Sequence, residues 1–242
     1  MDALVLIGGS AGIAGSIAEE CMRAESRPVW VTYRRDRASA LDLAARLGDR
    51  ATVRECDATD VNSLAALRDE ITAQGQQVGI LLHAAVAPIV GTLVDISDEL
   101  LTGLDVSAAS LVRTVAQLDS VLAENGSVVY LTSVGSRRVI PTYGGIGVAK
   151  AAAESMVRYL ATELGGRGIR VNAIECGAIE TKALRSVFAD AASVVARSQA
   201  RTPLRPPPDA SDVAAFVSML TGPNGRGVTG QVICVDGGYS LR

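Results

Sequence analysis

The chain has 242 residues, of which 48% are apolar and only 3% aromatic, and it carries a net charge of −3. This length suits one domain over residues 1–242, and the scattered basic residues argue against nucleic acid or a membrane as partner. Four cysteines without a paired motif and a single histidine predict no metal site, and they are typical of reduced thiols in a cytoplasmic protein.

Short apolar runs alternate with helical patterns along the whole chain. The runs predict seven strands, at residues 3–7, 28–33, 51–56, 79–83, 127–132, 169–175 and 231–235. The intervening patterns predict helices at residues 12–25, 38–47, 61–73, 98–123, 147–164 and 211–220. Strict alternation of this kind predicts an α/β fold: a single Rossmann-like, doubly wound domain whose seven-stranded parallel sheet has helices on both faces.

The first strand is followed by a glycine-rich turn containing Gly8 and Gly12. Glycine lets the backbone approach a pyrophosphate, and the next helix start offers free N–H groups to the anion. The turn resembles the G-x-x-x-G-x-G motif of the short-chain dehydrogenase/reductase family, with Ala14 in place of the third glycine. Collinear matches at residues 56–58, 171–174, 177–181 and 235–238 extend this resemblance over nearly the whole chain.

Two arginines, Arg34 and Arg35, end the second strand, where an acidic residue would bind the ribose hydroxyl of NAD. Guanidinium groups pair with phosphate, so the cofactor expected is NADPH, with NADH less favoured. Asp36 weakens this expectation, because it could neutralise an arginine or read the ribose itself. A solvated basic loop is the alternative.

The next matches lie after the third and fourth strands. Asp57 resembles the family's acidic contact to adenine, although a structural role at a helix N-terminus explains it equally well. His83 begins a stretch where ketone-reducing relatives usually carry Asn-Asn-Ala-Gly, and Ser107 stands where they commonly have asparagine. We interpret His83 as a packing or backbone-contact position beside the cofactor rather than a general base.

The catalytic motif departs from the common Tyr-x-x-x-Lys, because Ile146 lies four residues before Lys150. Tyr143 lies seven residues before the lysine instead, which could keep both side chains on one helix face. This Tyr-x6-Lys spacing resembles the enoyl-acyl-carrier-protein reductases of the family. Ser133 matches a branch that carries serine there; a turn or cap role is the alternative. The alternative for Tyr143 and Lys150 is that they are a surface tyrosine and a lysine on a helix face, without a catalytic role.

The resemblance implies NADPH-dependent reduction of a 2-enoyl thioester carried on acyl carrier protein or coenzyme A. A carbonyl or imine reductase and a non-catalytic dinucleotide-binding scaffold are the competing functions. Residues 181–210, which contain three consecutive prolines, are interpreted as an irregular substrate lid. A homotetramer is also implied. The expected cofactor contacts are Gly8, Ser10, Gly12, Ile13, Arg34, Arg35, Asp57, Ala58, His83, Ala84, Ala85, Lys150, Gly177, Ile179 and Thr181; the expected catalytic residues are Tyr143, Lys150 and Ser133.

Overall fold

A computed structural model describes residues 2–241, with a parallel sheet at its centre. The seven strands are β1 (Asp2–Ile7), β2 (Val29–Tyr33), β3 (Ala51–Glu55), β4 (Gln77–His83), β5 (Leu122–Ser133), β6 (Arg170–Cys176) and β7 (Val232–Val235). They lie in the order β3-β2-β1-β4-β5-β6-β7, and each neighbouring pair is parallel. The predicted doubly wound fold is therefore confirmed.

Helices cover both faces of this sheet. They are α1 (Ile13–Ala24), α2 (Arg37–Leu47), α3 (Val61–Ala73), α4 (Leu100–Leu104), α5 (Ser110–Leu118), α6 (Gly144–Leu164), α7 (Lys182–Val187), α8 (Ala191–Arg201) and α9 (Ala210–Thr221). The side chains of α1, α2 and α9 pack into one apolar cluster, and those of α3, α5 and α6 pack into another on the opposite face. None of the helices within residues 2–241 combines the length and the apolar character that a membrane span requires.

Strand β1 shows why the apolar runs are continuous rather than alternating. Leu4 and Leu6 belong to one core cluster, whereas Val5 and Ile7 belong to the other. Successive side chains point to opposite faces, and both faces are covered by helices. Each of these side chains contributes roughly 1.5–3 kcal/mol by its burial, so the run anchors both layers of the core.

The helix predicted at residues 98–123 is confirmed only in part, because it is not regular and ends earlier. The chain forms α4, then one π-helical turn over Asp105–Ala109, and then α5, before β5 begins at Leu122. Leu122 pairs with Val78 of β4, which places residues 122–123 in the sheet. Helix propensity is a weak preference that pairing with a central strand overrides.

Helix α6 begins at Gly144, three residues before the start predicted from the sequence. The low helix propensity of glycine hides this first turn. A Cβ on Gly145 would lie only 2.9 Å from the carbonyl oxygen of Ile89, so glycine permits close contact with the loop after β4. Tyr143 is the N-cap residue, in line with the expectation that it precedes the helix proper.

The interpretation of residues 181–210 as irregular is also wrong, because α7 and α8 lie within them. Each helix has a capped N-terminus: the Thr181 hydroxyl accepts from Leu184 N at 3.0 Å, and the Asp190 carboxylate accepts from Ser193 N at 3.0 Å. Such caps stabilise short helices by satisfying N–H groups of the first turn. The prolines lie after α8 and do not interrupt either helix.

Candidate active site

A cavity of about 980 Å³ lies at the carboxyl ends of β1, β4, β5 and β6. The strand order reverses between β1 and β4, which is where doubly wound sheets bind their ligands. The expected site residues that line the cavity are Ser10, Ile13, Ala84, Ser133, Tyr143, Lys150, Gly177, Ile179 and Thr181. The expected residues outside its lining are Gly8, Gly12, Arg34, Arg35, Asp57, Ala58, His83 and Ala85.

The glycine-rich turn has the backbone form that a dinucleotide phosphate requires. Gly8 has a φ of 70° and Gly12 a φ of 64°, values that side chains with a Cβ rarely adopt. A Cβ on Gly12 would lie 2.7 Å from Thr181 Cγ2, and one on Gly8 would lie 2.9 Å from Ala85 Cα. No side chain caps α1 at Gly12, so N–H groups of its first turn are left for an anion. These residues fit a dinucleotide.

Tyr143 forms one wall of the cavity beside the end of β5. Its ring packs on Gly135, where a Cβ would lie 2.5 Å from Tyr143 Cε1, and it stacks parallel to Phe188 with 6.0 Å between ring centroids. Burial raises the pKa of Tyr143, and a hydrogen bond with Ser133 offsets this only in part. The hydroxyl therefore stays protonated at neutral pH and can donate a hydrogen bond.

Lys150 lies on α6 beneath the same cavity and is almost completely buried. Its Nζ donates to the Leu131 carbonyl oxygen at 2.7 Å and lies 4.5 Å from the centre of the Tyr130 ring. Burial lowers the pKa of Lys150 to about 8, although the negative charge of Glu154 acts in the opposite direction. The site thus holds a poorly solvated ammonium group that an added acceptor would stabilise.

The spacing of the motif brings Tyr143 and Lys150 to one cavity, with Ile146 between them. Ile146 is 1% exposed and has no proton to give, so it cannot serve as the donor, whereas Tyr143 brings a hydroxyl to the cavity. Tyr143 precedes α6, and Lys150 lies nearly two turns further along it. The arrangement offers one neutral donor and one cation facing the same space.

His83 lies in the core rather than at the cavity surface. Its side chain is fully buried, with Nε2 3.0 Å from Ser110 Oγ and the ring stacked on Tyr130 at 5.6 Å. Burial, followed by the charge of Lys150, lowers the pKa of His83 to about 3. The imidazole is therefore neutral, and its side chain cannot reach a ligand in the cavity.

Ser107, in the π-helical turn, holds the loop that follows β4. Its hydroxyl accepts from Ala87 N at 2.8 Å, and its carbonyl oxygen accepts from the Tyr130 hydroxyl. All three residues are at most 9% exposed. The serine that stands in place of the ketone reducers' asparagine is thus a structural tether beneath the site.

The residues expected to contact adenosine lie at the carboxyl ends of β2 and β3. Arg34 Nη1 is 3.6 Å from Asp57 Oδ2, and both side chains are more than a third exposed. Asp57 also accepts from the Thr59 backbone and hydroxyl, and the Ala58 carbonyl oxygen accepts from Arg113. Asp57 therefore both orders its own turn and partly neutralises Arg34.

Within residues 2–241, Asp36 forms its ion pair with a lysine and not with an arginine. Its carboxylate caps α2 by accepting from Ser39 N at 3.0 Å, and it lies 3.3 Å from Nζ of Lys182. Asp36 and Lys182 both line the cavity. Sequence reasoning missed Lys182. Its position three residues after the expected cofactor contact Ile179 is a weak signal, because Lys182 and Asp36 are 146 residues apart in the sequence.

An ion pair between a buried carboxylate, Glu175, and the exposed Arg137 anchors the loop that carries Tyr143, and sequence reasoning missed it as well. Glu175 is 0% exposed in β6, and both of its oxygens accept from Arg137, at 2.8 and 2.9 Å. Arg137 follows Ser133 by four residues, so the pair ties this loop to the sheet. A charged residue within the apolar run of β6 was the signal available in the sequence.

Within residues 2–241, no group of three or more His, Cys, Asp or Glu side chains is arranged to hold a metal ion. The four cysteines are unpaired, and Cys176 lines the cavity. Burial raises the pKa of Cys176 to about 12, so its thiol is not a thiolate at neutral pH.

Comparison with known proteins shows that this chain is similar to a set of reductases. The sequence profile described as "Enoyl-(Acyl carrier protein) reductase" matches residues 8–240. An enoyl-acyl-carrier-protein reductase (NADH), FabI, of Bacillus cereus is 34% identical over 95% of this chain and 92% of its own length. A second relative, enoyl-acyl-carrier-protein reductase (NADH) 2 of Rhizobium meliloti, is 35% identical over 77% of this chain and 71% of its own length.

Solved structures of enoyl-acyl-carrier-protein reductases share the fold of this chain. The Bacillus cereus enoyl-acyl carrier protein reductase, in complex with NADP+ and indole naphthyridinone, superposes with a TM-score of 0.92 at 33% identity, covering 100% of this chain and 97% of that one. The reductase of Anaplasma phagocytophilum, in complex with NAD, has a TM-score of 0.87 at 28% identity and covers 100% and 92%. Relatives with either nicotinamide cofactor therefore share this fold.

Proposed function

The chain belongs to the enoyl-(acyl carrier protein) reductase family, and from that premise we propose that it reduces the carbon–carbon double bond of a 2-enoyl thioester with NADPH. The observation that carries this proposal is that Tyr143 and Lys150 face one cavity, while Ile146 occupies the position of the ketone reducers' tyrosine. A hydroxyl displaced by three residues suits a substrate whose negative charge develops away from the carbon that is reduced.

The chemistry follows from where the charge forms. NADPH, when bound, would supply hydride to the β-carbon of the enoyl group. The electron pair of the double bond would move towards the thioester oxygen, and the α-carbon would then take up a proton from solvent. Tyr143 would donate its hydrogen bond to that oxygen, which stabilises the enolate as charge accumulates. The raised pKa keeps the hydroxyl protonated for this role.

Lys150 would hold the cofactor rather than donate the proton. Its ammonium lies at the base of the cavity, from where it would donate to the hydroxyls of the nicotinamide ribose. A desolvated cation also favours negative charge nearby, because the low local dielectric strengthens the interaction. Lys150 and the glycine turn together would fix the cofactor in the geometry for hydride transfer.

The substrate end of the cavity suits an acyl chain carried on acyl carrier protein or coenzyme A. Apolar side chains dominate the lining there, and they come from the loop after β4, from the loop between β5 and α6, from α6 itself and from the segment after β6. They are Val86, Ile140, Ile146, Val187, Phe188 and Val194. Such a lining takes up hydrocarbon without leaving polar groups unpaired.

The preference for NADPH is supported by the two arginines after β2, which lie where a 2′-phosphate would be bound. The curated relatives are named as NADH enzymes, whereas the Bacillus cereus structure holds NADP+. Arg34 is only partly neutralised by Asp57, since the pair is 3.6 Å apart and exposed. A cationic surface for phosphate therefore remains at this end of the site.

Oxidation of NADPH, followed by absorbance, tests the proposed function. With crotonyl thioesters of acyl carrier protein or coenzyme A we expect turnover, and with a panel of simple ketones and imines we expect none. Activity on ketones or imines alone would reassign the protein to carbonyl or imine reduction. Retained NADPH binding with no turnover on any substrate would instead indicate a dinucleotide-binding scaffold.

We propose that residues 181–210, within the single domain predicted for residues 1–242, act as a lid. Their two short helices cover the cavity, and Phe188 stacks on Tyr143. Limited proteolysis should therefore cut this segment more slowly with saturating NADPH than without it, while cleavage in α3 stays unchanged. Equal cleavage rates within residues 181–210 in both conditions would remove the support for a lid.

We further propose a homotetramer in the cytoplasm. Exposed apolar side chains on α5 and α6, Val112, Val148 and Tyr159, support association through these helices, which the family resemblance implies. The unpaired cysteines support a reducing compartment.

A further inference from the structure

A lysine from the lid reaches across the cavity to the loop that follows β2. Lys182 is the first residue of α7, and its Nζ lies 2.6 Å from Ser39 Oγ and 3.3 Å from Asp36 Oδ2. Thr181, the residue before it, packs on Gly12 of the phosphate turn. The start of the lid thus spans the cofactor cleft from the glycine turn to the start of α2.

From this geometry we propose that Lys182 is a specificity residue that reads the 2′-phosphate of NADPH together with Arg34 and Arg35. The inference rests on the proposed NADPH dependence and deepens it. The ammonium group of Lys182 has three N–H donors, and oxygens of Ser39 and Asp36 accept from two of them. Among the contacts within residues 2–241, the third donor is left for a phosphate oxygen.

The negative charge of Asp36 is the reason that a cation at Lys182 matters for cofactor choice. A carboxylate after the second strand normally favours the ribose hydroxyls of NAD and repels a 2′-phosphate. Asp36 cannot turn away easily, because it caps α2 through Ser39 N and the Ser39 hydroxyl, at 3.0 and 2.6 Å. The ammonium of Lys182 offsets this fixed negative charge, and the same side of the cavity can then accept a phosphate.

The contact between Lys182 and Asp36 contributes little to folding, because the two side chains are 63% and 52% exposed. Removing the lysine should therefore alter ligand recognition without unfolding the protein. The pair also joins the lid to the cofactor-binding loop, so lid position and cofactor choice are linked through one side chain.

Titration calorimetry with 2′,5′-ADP and 5′-AMP measures recognition of the 2′-phosphate directly, without catalysis. For the wild type we expect tighter binding of 2′,5′-ADP. Lys182→Met should lower the ratio of the two affinities about tenfold, the size expected for a lost charge-assisted hydrogen bond, while 5′-AMP binding stays the same. Adding Asp36→Asn to Lys182→Met should recover part of that ratio, because the repelling charge is gone.

Arg185→Met is the matched control, because Arg185 is an exposed cation of the same helix that pairs with Glu180 and lies outside the cavity lining. Its affinity ratio should equal that of the wild type. If the wild type shows no preference for 2′,5′-ADP, the NADPH dependence is wrong, and the role of Lys182 with it. The wild type could instead prefer 2′,5′-ADP while Lys182→Met keeps the same preference or loses affinity for both ligands by the same factor. In that case only the role of Lys182 is overturned.

Discussion

Replacing Tyr143 with phenylalanine should lower kcat for a 2-enoyl thioester by about 10²- to 10³-fold, the usual effect of losing one donor to a developing oxyanion. The ring remains, so its packing on Gly135 and Phe188 is kept. The affinity for NADPH should change by less than about twofold, because the hydroxyl acts on the substrate in the transition state. Steady-state kinetics and a fluorescence titration with NADPH separate the two effects.

Tyr159→Phe is the matched control, because this tyrosine is 70% exposed on α6 and lies outside the cavity. Its kcat should equal that of the wild type. Ser133→Ala adds a further comparison: if Ser133 acts through Tyr143, removing both hydroxyls should cost no more than removing that of Tyr143 alone. A Tyr143→Phe enzyme with unchanged kcat would contradict the role assigned to the tyrosine.

Replacing Lys150 with methionine should lower kcat/KM for NADPH by about 10²-fold, because the hydrogen bonds of a charged donor to the cofactor ribose are lost. Methionine fills a similar volume, and removing a desolvated charge does not itself destabilise the core. The thermal midpoint should therefore be equal to or above that of the wild type. Arg158 is an exposed cation nearly two turns before the end of α6, and Arg158→Met should leave kcat/KM unchanged.

The pH dependence of kcat/KM gives an independent test of Lys150. Burial lowers its pKa to about 8 from an ordinary value of 10.5, so the free enzyme loses this charge as the pH rises through about 8. We expect kcat/KM for NADPH to fall across that range in the wild type and to lack this fall in Lys150→Met. His83, with a pKa of about 3, contributes no step near neutral pH. An identical alkaline limb in both proteins would assign the titration to another group.

Several errors of the sequence predictions have one physical origin. Residues 122–123 satisfy a helical pattern, yet Leu122 is paired with Val78 of β4. Gly144 and Gly145 look unfavourable for a helix, yet their lack of side chains lets α6 start against Leu93 and Ile89. In each case a contact with a residue distant in sequence outweighs the local preference. The helices α7 and α8 differ, because their caps, Thr181 and Asp190, are local signals that the proline-rich interpretation overlooked.

The sequence by itself determined the order of strands and helices, the glycine turn after β1 and the Tyr143–Lys150 spacing that distinguishes this chain from ketone reducers. These features are visible because periodicity, glycine conformation and helix spacing depend on near neighbours. Only the tertiary structure decided that His83 is buried and neutral, that Lys150 is desolvated and that Lys182 reaches Asp36. Burial, pKa and ion pairing depend on which distant segments pack together, and packing is fixed only when the sheet and its helices have assembled.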